Sequence, residues 1–175
     1  GQMMFANRRG IVMFDGVKWN SVSTPSVPLS LFFDDESRQV FVGCKNNIGI
    51  LIKGVHGMYE YTTLMPDKRN VGDVEQIVEL NGNIYFYSPE YITRVNAATK
   101  EIKQWPANAG EPYTGFFINK ADVYVNIDKL GIHKLKESLK APVKGGEMFY
   151  NHEILFSFKY NKSQTLIGMN NDSLY

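Results

Sequence analysis

The sequence predicts an all-β protein, and more narrowly a β-propeller. Apolar strands separated by turns with Asn or Gly recur along its 175 residues, and the hairpin from Val40 to Leu51 is the clearest of them. Five copies of the pattern can be superposed on Phe5, Val42, Phe86, Val125 and Ile167. Their spacing of about 40 residues is that of a four-stranded propeller blade. Helical repeats of similar length need a helical apolar period, which this sequence lacks.

The copies divide the chain into blades. We predict one propeller domain over residues 1–175, with a partial blade at 1–26, complete four-stranded blades at 27–70, 71–109 and 110–147, and a second partial blade at 148–175. The first partial blade supplies second, third and fourth strands, and the last supplies the first, the second and part of the third. Because these ends overlap, we expect a fragment of a larger propeller. Uncovered blade edges favour association, so self-association is also expected.

The first two blades show the expected order of strands. Residues 3–7 and 11–14 form a hairpin, and a tight turn at Asp15–Gly16 leads to a strand over 17–22. In the next blade, the apolar run Leu29–Phe33 predicts a strand buried on both faces. The hairpin at 40–52 and an outer strand over 58–64 follow it. We therefore expect the first strand of each blade to be buried and its outer strand to be wet.

The later blades repeat this order. Asn81–Gly82 is the strongest two-residue hairpin signal, and it joins strands over 74–80 and 84–87. Residues 136–146 have a weaker strand signal and are compatible with a helical turn at 136–139. The remaining strands are expected at 91–95, 101–105, 114–118, 123–126, 131–135, 154–160 and 165–168.

Composition argues against several classes of partner. The 19 basic and 18 acidic residues leave a net charge of +1, which gives no reason to expect nucleic acid or an anionic membrane as a partner. No apolar run approaches the roughly 18 residues that a bilayer span needs. The single cysteine, Cys44, excludes a scaffold built on internal disulfides.

Groups able to ligate a metal or act as a nucleophile are scattered. His56, His133 and His152 are far apart and lack the spacing of a zinc site, so we expect no metal and no cofactor. Cys44 is interpreted as a small buried residue, because the sequence names no base that would activate its thiol.

Two charged turns have an active-site interpretation and a simpler one. The acids Asp34, Asp35 and Glu36 are the kind of group that glycoside hydrolysis uses, yet a solvated turn explains them better. The pair Arg8–Arg9 is able to grip a phosphate or a carboxylate, and again a solvated turn is the better interpretation.

The hairpin from Val40 to Leu51 resembles the two-component-regulator propeller repeat. That repeat reads D-x-x-G-x-hydrophobic-W-hydrophobic-G-T-x-x-G-L. Phe41 stands at the place of its Trp, and Cys44 stands at the place of its Thr. Gly43 and Gly49 match two of its glycines. The later copies keep fewer of these residues, so the resemblance depends on recurrence along the chain.

The resemblance implies the extracytoplasmic sensor region of a bacterial hybrid two-component system. Members of that family carry two consecutive seven-bladed propellers, a β-sandwich domain, a membrane helix and a histidine kinase. It therefore implies a parent propeller of about seven blades, a kinase in the same parent chain and a periplasmic location. It also implies a non-catalytic role in detecting a glycan or its breakdown product, without direct membrane insertion by this chain.

Propeller geometry predicts where a ligand would bind. The turns between second and third strands share one face with the connectors between blades. Polar groups around an aromatic platform at that face suit an oligosaccharide, whose rings stack and whose hydroxyls form hydrogen bonds. The candidate ligand-binding residues are Arg8, Lys45, Asn46, Arg69, Asp73, Glu90, Trp105, Tyr113, Asp128 and Lys129.

Two functions remain open at this point. The first is a sensory ligand-binding module of a two-component sensor or transcriptional regulator. The alternative is a propeller-type scaffold for protein interaction, without a small-molecule ligand. Polysaccharide lyases and glycosidases also use propellers, so an enzyme ranks third.

Overall fold

A computed structural model describes residues 2–55, 57–65, 69–137, 140–161 and 164–175. Within these ranges the elements are strands and one 3₁₀ turn. The chain divides into two compact units, Gly1–Trp105 and Pro106–Tyr175, called unit 1 and unit 2 below. His56, one of the histidines considered above, lies outside the described residues.

Unit 1 contains three antiparallel sheets, each with its strands in chain order. The first sheet consists of β1 (Met3–Asn7), β2 (Gly10–Phe14) and β3 (Trp19–Val22). The second consists of β4 (Pro28–Asp34), β5 (Gln39–Cys44), β6 (Asn47–Lys53) and β7 (Tyr59–Thr63). The third consists of β8 (Gln76–Leu80), β9 (Asn83–Tyr87), β10 (Tyr91–Asn96) and β11 (Ile102–Pro106).

Unit 2 contains one four-stranded and one two-stranded sheet. The first consists of β12 (Tyr113–Asn119), β13 (Asp122–Ile127), β14 (Gly131–Leu135) and β15 (Lys140–Pro142). The 3₁₀ turn Gly146–Phe149 follows, and β16 (Ile154–Lys159) then pairs with β17 (Thr165–Met169). Beyond β17, an isolated antiparallel bridge joins Gly168 and Leu174.

Two turns show how short-range chemistry sets strand ends. Asn81 and Gly82 have φ angles of 52° and 72°, and they form the predicted tight turn between β8 and β9. Asp15 Oδ1 accepts hydrogen bonds from the N–H groups of Val17 at 2.8 Å and Lys18 at 2.7 Å. These bonds hold residues 15–18 in a turn, so β3 begins at Trp19, two residues later than predicted.

The core of unit 1 lies on both faces of the β4–β7 sheet. Val40 and Val42 on β5 pack in a buried cluster with Ile11 and Met13 of the first sheet. Phe41 points to the opposite face, as alternation along a strand requires, and packs with residues of the third sheet. The middle sheet of unit 1 is therefore buried between its two neighbours.

The prediction that Leu29–Phe33 is buried on both faces is wrong. Leu29 is 37% exposed and Phe33 is 47% exposed, whereas β5 is almost entirely buried. β4 is more exposed than β5 because it lies at an edge of the sheet, whereas β5 has a strand on either side. The outer strand β3 is exposed as predicted, with Trp19 62% exposed.

The fourth strand of the four-stranded sheet in unit 2 lies where the strand signal of the sequence is weak. β15 occupies only Lys140–Pro142, within the segment of weak strand signal. Residues 138–139 of the predicted helical turn lie outside the described residues. Phe149 of the 3₁₀ turn packs in a buried cluster with Phe117 and Ile167, so the turn helps to build the core of this unit.

Candidate functional site

Four of the predicted ligand-binding residues come together in unit 1, where the connector after β7 passes between two turns. The N–H of Asn46 donates to the carbonyl of Gly72 at 2.9 Å. The Asn46 side-chain oxygen accepts from the N–H of Val71 at 2.8 Å. The carboxylate of Glu90, from the turn between β9 and β10, lies against Gly72 on the other side. The connector is therefore held between the ends of two sheets.

Exposed charges line this junction. Lys45 Nζ lies 3.6 Å from Asp73 Oδ2, and these side chains are 55% and 49% exposed. We call the group Lys45, Asn46, Gly72, Asp73 and Glu90 the connector surface. It offers an ammonium donor and carboxylate acceptors on a backbone that is already fixed by hydrogen bonds.

The same arrangement of backbone bonds recurs in unit 2. Lys45 N–H donates to Val27 O in the connector before its blade, and Asn46 N–H donates to Gly72 O in the connector after it, both at 2.9 Å. Asp128 N–H likewise donates to Pro112 O at 2.9 Å. The repetition shows that each of these turns ties the two connectors flanking its blade.

A left-handed residue makes the second of these bonds possible. Asn46 has a φ of 48°, and Lys129, whose N–H donates to Tyr150 O at 2.8 Å, has a φ of 63°. Between β9 and β10 the corresponding turn contains Pro89, which has no N–H to donate. That turn is closed by Ser88 instead, whose N–H donates to Tyr91 O at 2.9 Å.

Asp128 and Lys129 lie together on unit 2. Lys129 Nζ is 3.7 Å from Asp128 Oδ2 and donates to the carbonyl of Gly110 at 3.1 Å. The Lys129 ammonium group therefore helps to hold the connector that contains Gly110.

The structure adds a residue that the sequence did not indicate, Asn126 on β13. Its side chain is fully buried, and its Nδ2 lies 2.6 Å from His152 O, 3.1 Å from Phe149 O and 2.9 Å from Thr114 Oγ1. It therefore fixes the connector that follows the 3₁₀ turn. An Asn near the end of an apolar strand is the signal that could have identified it.

Replacing Asn126 with alanine is expected to lower the free energy of unfolding of unit 2 by about 2 kcal/mol, because two carbonyl groups lose their donor. Urea denaturation followed by far-UV circular dichroism measures the change. Asn119→Ala, at the half-buried end of β12, is the matched control and should cost less than about 0.5 kcal/mol. Equal losses in the two variants would contradict the assigned role of Asn126.

The remaining predicted residues are Arg8, Arg69, Trp105 and Tyr113. Arg8 and Arg69 are exposed, on the β1–β2 turn and in the connector after β7. Trp105 is 7% exposed, with Lys103 Nζ 5.2 Å from its ring centre. Tyr113 is 1% exposed, its hydroxyl donates to Pro106 O at 3.1 Å, and burial raises its pKa. Both rings are therefore buried.

Two other titratable groups, the thiol of Cys44 and the carboxylate of Asp34, are buried and have shifted pKa values. Burial raises the pKa of the Cys44 thiol to about 11, so it stays protonated and weakly nucleophilic near neutral pH. Asp34 is 8% exposed, which differs from the solvated turn predicted for it. The hydroxyl and the N–H of Ser37 both donate to its carboxylate and hold its pKa below the usual value. Asp34 therefore closes the turn between β4 and β5.

The described residues contain no group of three or more His, Cys, Asp or Glu side chains placed to hold a metal ion. Among the same residues, no helix has the length and apolar character that crossing a bilayer would require.

No family model and no curated protein matches this sequence. Solved structures do share its fold. The extracellular domain of the hybrid two-component system BT4673 from B. thetaiotaomicron superposes with a TM-score of 0.74 and 13% identity, over 99% of this chain and 25% of that one. Virginiamycin B lyase from Staphylococcus aureus superposes with a TM-score of 0.64 and 15% identity, over 100% of this chain and 65% of the lyase.

These similarities establish the fold class. The neighbours are propeller-type folds, and the antiparallel sheets of this chain match them along almost its whole length. The all-β propeller predicted from the sequence is therefore confirmed. The chain spans only a quarter of the BT4673 domain, and at 13% identity the likeness carries no activity with it.

Proposed function

We propose that this chain is a non-catalytic, ligand-binding segment of the extracytoplasmic sensor region of a bacterial two-component regulator. The observation that supports this most is the likeness to the extracellular domain of a hybrid two-component system over 99% of the chain. The repeat at Val40 to Leu51 points to the same family independently. In this proposal the rest of the propeller and a histidine kinase belong to the parent chain, and the location is periplasmic.

The proposed ligand is a glycan or a glycan breakdown product, bound at the connector surface. Sugar hydroxyls both donate and accept hydrogen bonds, so a sugar site needs donors and acceptors side by side. Lys45 Nζ and the carboxylates of Asp73 and Glu90 provide them. The hydrogen bonds of Asn46 to Val71 and Gly72 fix the backbone in advance, which lowers the ordering cost of binding.

The position of this surface suits a sensor. Lys45 belongs to the β4–β7 sheet and Glu90 to the β8–β11 sheet, and the connector around Gly72 lies between them. A ligand that contacts both turns therefore bridges two sheets of unit 1. Its binding energy would favour one arrangement of these sheets over others, which is what a binding signal requires.

A thermal-shift screen against defined oligosaccharides tests the proposal. We expect at least one sugar to raise the melting temperature in a concentration-dependent way, because a ligand of the native state stabilises it. The sugar should be recovered unchanged by chromatography after incubation. Lys45→Ala should weaken binding about tenfold, equivalent to about 1.4 kcal/mol.

The matched control is Lys18→Ala, which removes an exposed lysine from the β2–β3 turn. Its affinity for the sugar should equal that of the wild type. Absence of a shift with every sugar, or an equal effect of the two substitutions, would count against sugar binding at the connector surface. Conversion of the sugar would count against a non-catalytic role.

A second candidate, a protein-interaction scaffold, has one observation in its favour. The side of the first sheet that faces away from the β4–β7 sheet exposes an apolar patch. Trp19 is 62%, Met3 53% and Phe5 48% exposed, and the Trp19 ring stacks on Phe14 at 4.7 Å. Contiguous apolar patches of this kind are typical of protein contacts. Absence of a thermal shift with every sugar, together with binding of a defined partner protein, would favour this function.

A further inference from the structure

Unit 2 repeats the backbone arrangement that underlies the connector surface. In unit 1, the N–H of Asn46 donates to Gly72 O in the connector after its sheet. In unit 2, the N–H of Lys129 donates at 2.8 Å to Tyr150 O, just after the 3₁₀ turn. Both donors lie in the turn after the second strand of a four-stranded sheet, and both have a positive φ. Tyr150 therefore takes the place in unit 2 that Gly72 has in the connector surface.

Tyr150 brings to this place an aromatic ring that the connector surface lacks. It is 50% exposed, whereas Trp105 and Tyr113, the two rings selected from the sequence, are buried. Its neighbour Phe149 packs in the core of unit 2, which leaves Tyr150 as the ring at the surface. An exposed tyrosine offers both a flat apolar face and a hydroxyl that forms hydrogen bonds.

Charged groups adjoin the backbone of Tyr150. Lys129 Nζ lies 3.7 Å from Asp128 Oδ2 and donates to Gly110 O at 3.1 Å. The Lys129 side chain is nevertheless mostly exposed. An ammonium has three donors and a carboxylate about four acceptor positions, so these contacts leave both groups able to bind a ligand. We call Asp128, Lys129 and Tyr150 the Tyr150 surface.

The main chain that carries the Tyr150 ring is fixed from two sides. Asn126 Nδ2 lies 3.1 Å from Phe149 O and 2.6 Å from His152 O, the carbonyls on either side of Tyr150. The N–H of Lys129 holds the carbonyl of Tyr150 itself. This order exists before any ligand binds, so binding has a smaller ordering cost.

We propose that the Tyr150 surface is a second sugar-binding site, separate from the connector surface. A sugar ring lays its apolar C–H face on the ring of Tyr150, and its hydroxyls donate to the Asp128 carboxylate and accept from the Lys129 ammonium. A β-linked oligosaccharide of glucose or xylose fits best, because its equatorial hydroxyls leave the faces of each ring apolar. The inference rests on the proposed role in binding sugars, but all its residues belong to unit 2.

The probes are cellotetraose and xylotetraose, and the readout is fluorine NMR of the full chain labelled with fluorotyrosine. The signal of Tyr150 is assigned by its loss in Tyr150→Phe. We expect at least one probe to shift this signal saturably, because a stacked sugar ring changes its surroundings. Sorbitol, which has hydroxyl groups but no ring, should leave the signal in place. A signal that neither sugar moves, or that sorbitol moves equally, would overturn the proposal.

Lys45→Ala separates the two proposed sites, since it weakens the connector surface and should not alter the response of Tyr150. In this background, Tyr150→Ala should lower the affinity measured by calorimetry about tenfold. The matched control Tyr160→Ala removes another exposed tyrosine of unit 2 and should have no effect. Equal effects of the two tyrosine substitutions, or loss of the Tyr150 response in Lys45→Ala, would contradict the proposal.

The same measurements distinguish this inference from the proposed function. Sugar binding that depends on Lys45 and leaves the Tyr150 signal unmoved would overturn the second site alone. Absence of binding by both Lys45→Ala and the wild type would contradict the proposed sugar binding as well.

Discussion

Replacing Gly131 with alanine is expected to lower the free energy of unfolding of unit 2 by about 4 kcal/mol, from backbone strain and steric overlap together. Gly131 begins β14 with a φ of 80°, a conformation that costs a residue with a Cβ. Its Cβ would also overlap the carbonyl oxygen of Gly146 and lie 2.9 Å from the Cα of Glu147. Both neighbours are backbone atoms of the 3₁₀ turn, so no side-chain rotation relieves the overlap.

Gly145→Ala separates the two causes. Gly145 has a φ of 82°, and no atom lies within 4 Å of the position its Cβ would take. This control should cost about 1 kcal/mol, the usual penalty for alanine at such an angle. Urea denaturation followed by far-UV circular dichroism measures both variants. Equal losses would show that the contact between β14 and the 3₁₀ turn is looser than described.

Phe41→Ala is expected to destabilise unit 1 by about 4 kcal/mol, the cost of emptying a core site of an aromatic ring. The Phe41 side chain is 0% exposed, and its ring centre lies 6.3 Å from that of Phe86 in an edge-to-face arrangement. The contact joins the second and third sheets, so its loss weakens the packing between them. Tryptophan fluorescence during urea denaturation reports the unfolding, because Trp19 and Trp105 both lie in unit 1.

Phe33→Ala provides the comparison within the same sheet. Phe33 lies on the edge strand β4 and is 47% exposed, so its truncation should cost about 1 kcal/mol. A Phe41→Ala variant no less stable than Phe33→Ala would contradict the placement of Phe41 in the core between sheets.

The strands were predictable because their signals are local. The turn at Asn81–Gly82 and the alternating run around Val42 specify hairpins without help from distant residues. Strand β15 gave little signal, since three residues with a proline at the end form a strand only by pairing with β14. The exposure of Leu29 was missed for a related reason, because it depends on which strand lies at the sheet edge.

The candidate site was only partly predictable. Lys45 and Asp73 were placed on one face from the expected order of strands, and the structure brings them within 3.6 Å. The backbone hydrogen bonds that hold the connector were not predictable. Almost every residue has an N–H and a carbonyl, so the residue types do not show which of these groups pair. The burial of Trp105 and Tyr113 was missed because an aromatic residue next to a connector is equally compatible with a core ring and an exposed one.

Among the described residues, each sheet is formed by strands that follow one another along the chain, as β4 to β7 do between residues 28 and 63. Every ladder therefore closes between strands that are neighbours in sequence, which keeps the loops to be closed short. All the strands of such a sheet are available as soon as its last strand has been synthesised. Folding can keep pace with translation, and within unit 1 each new sheet packs onto the sheet before it.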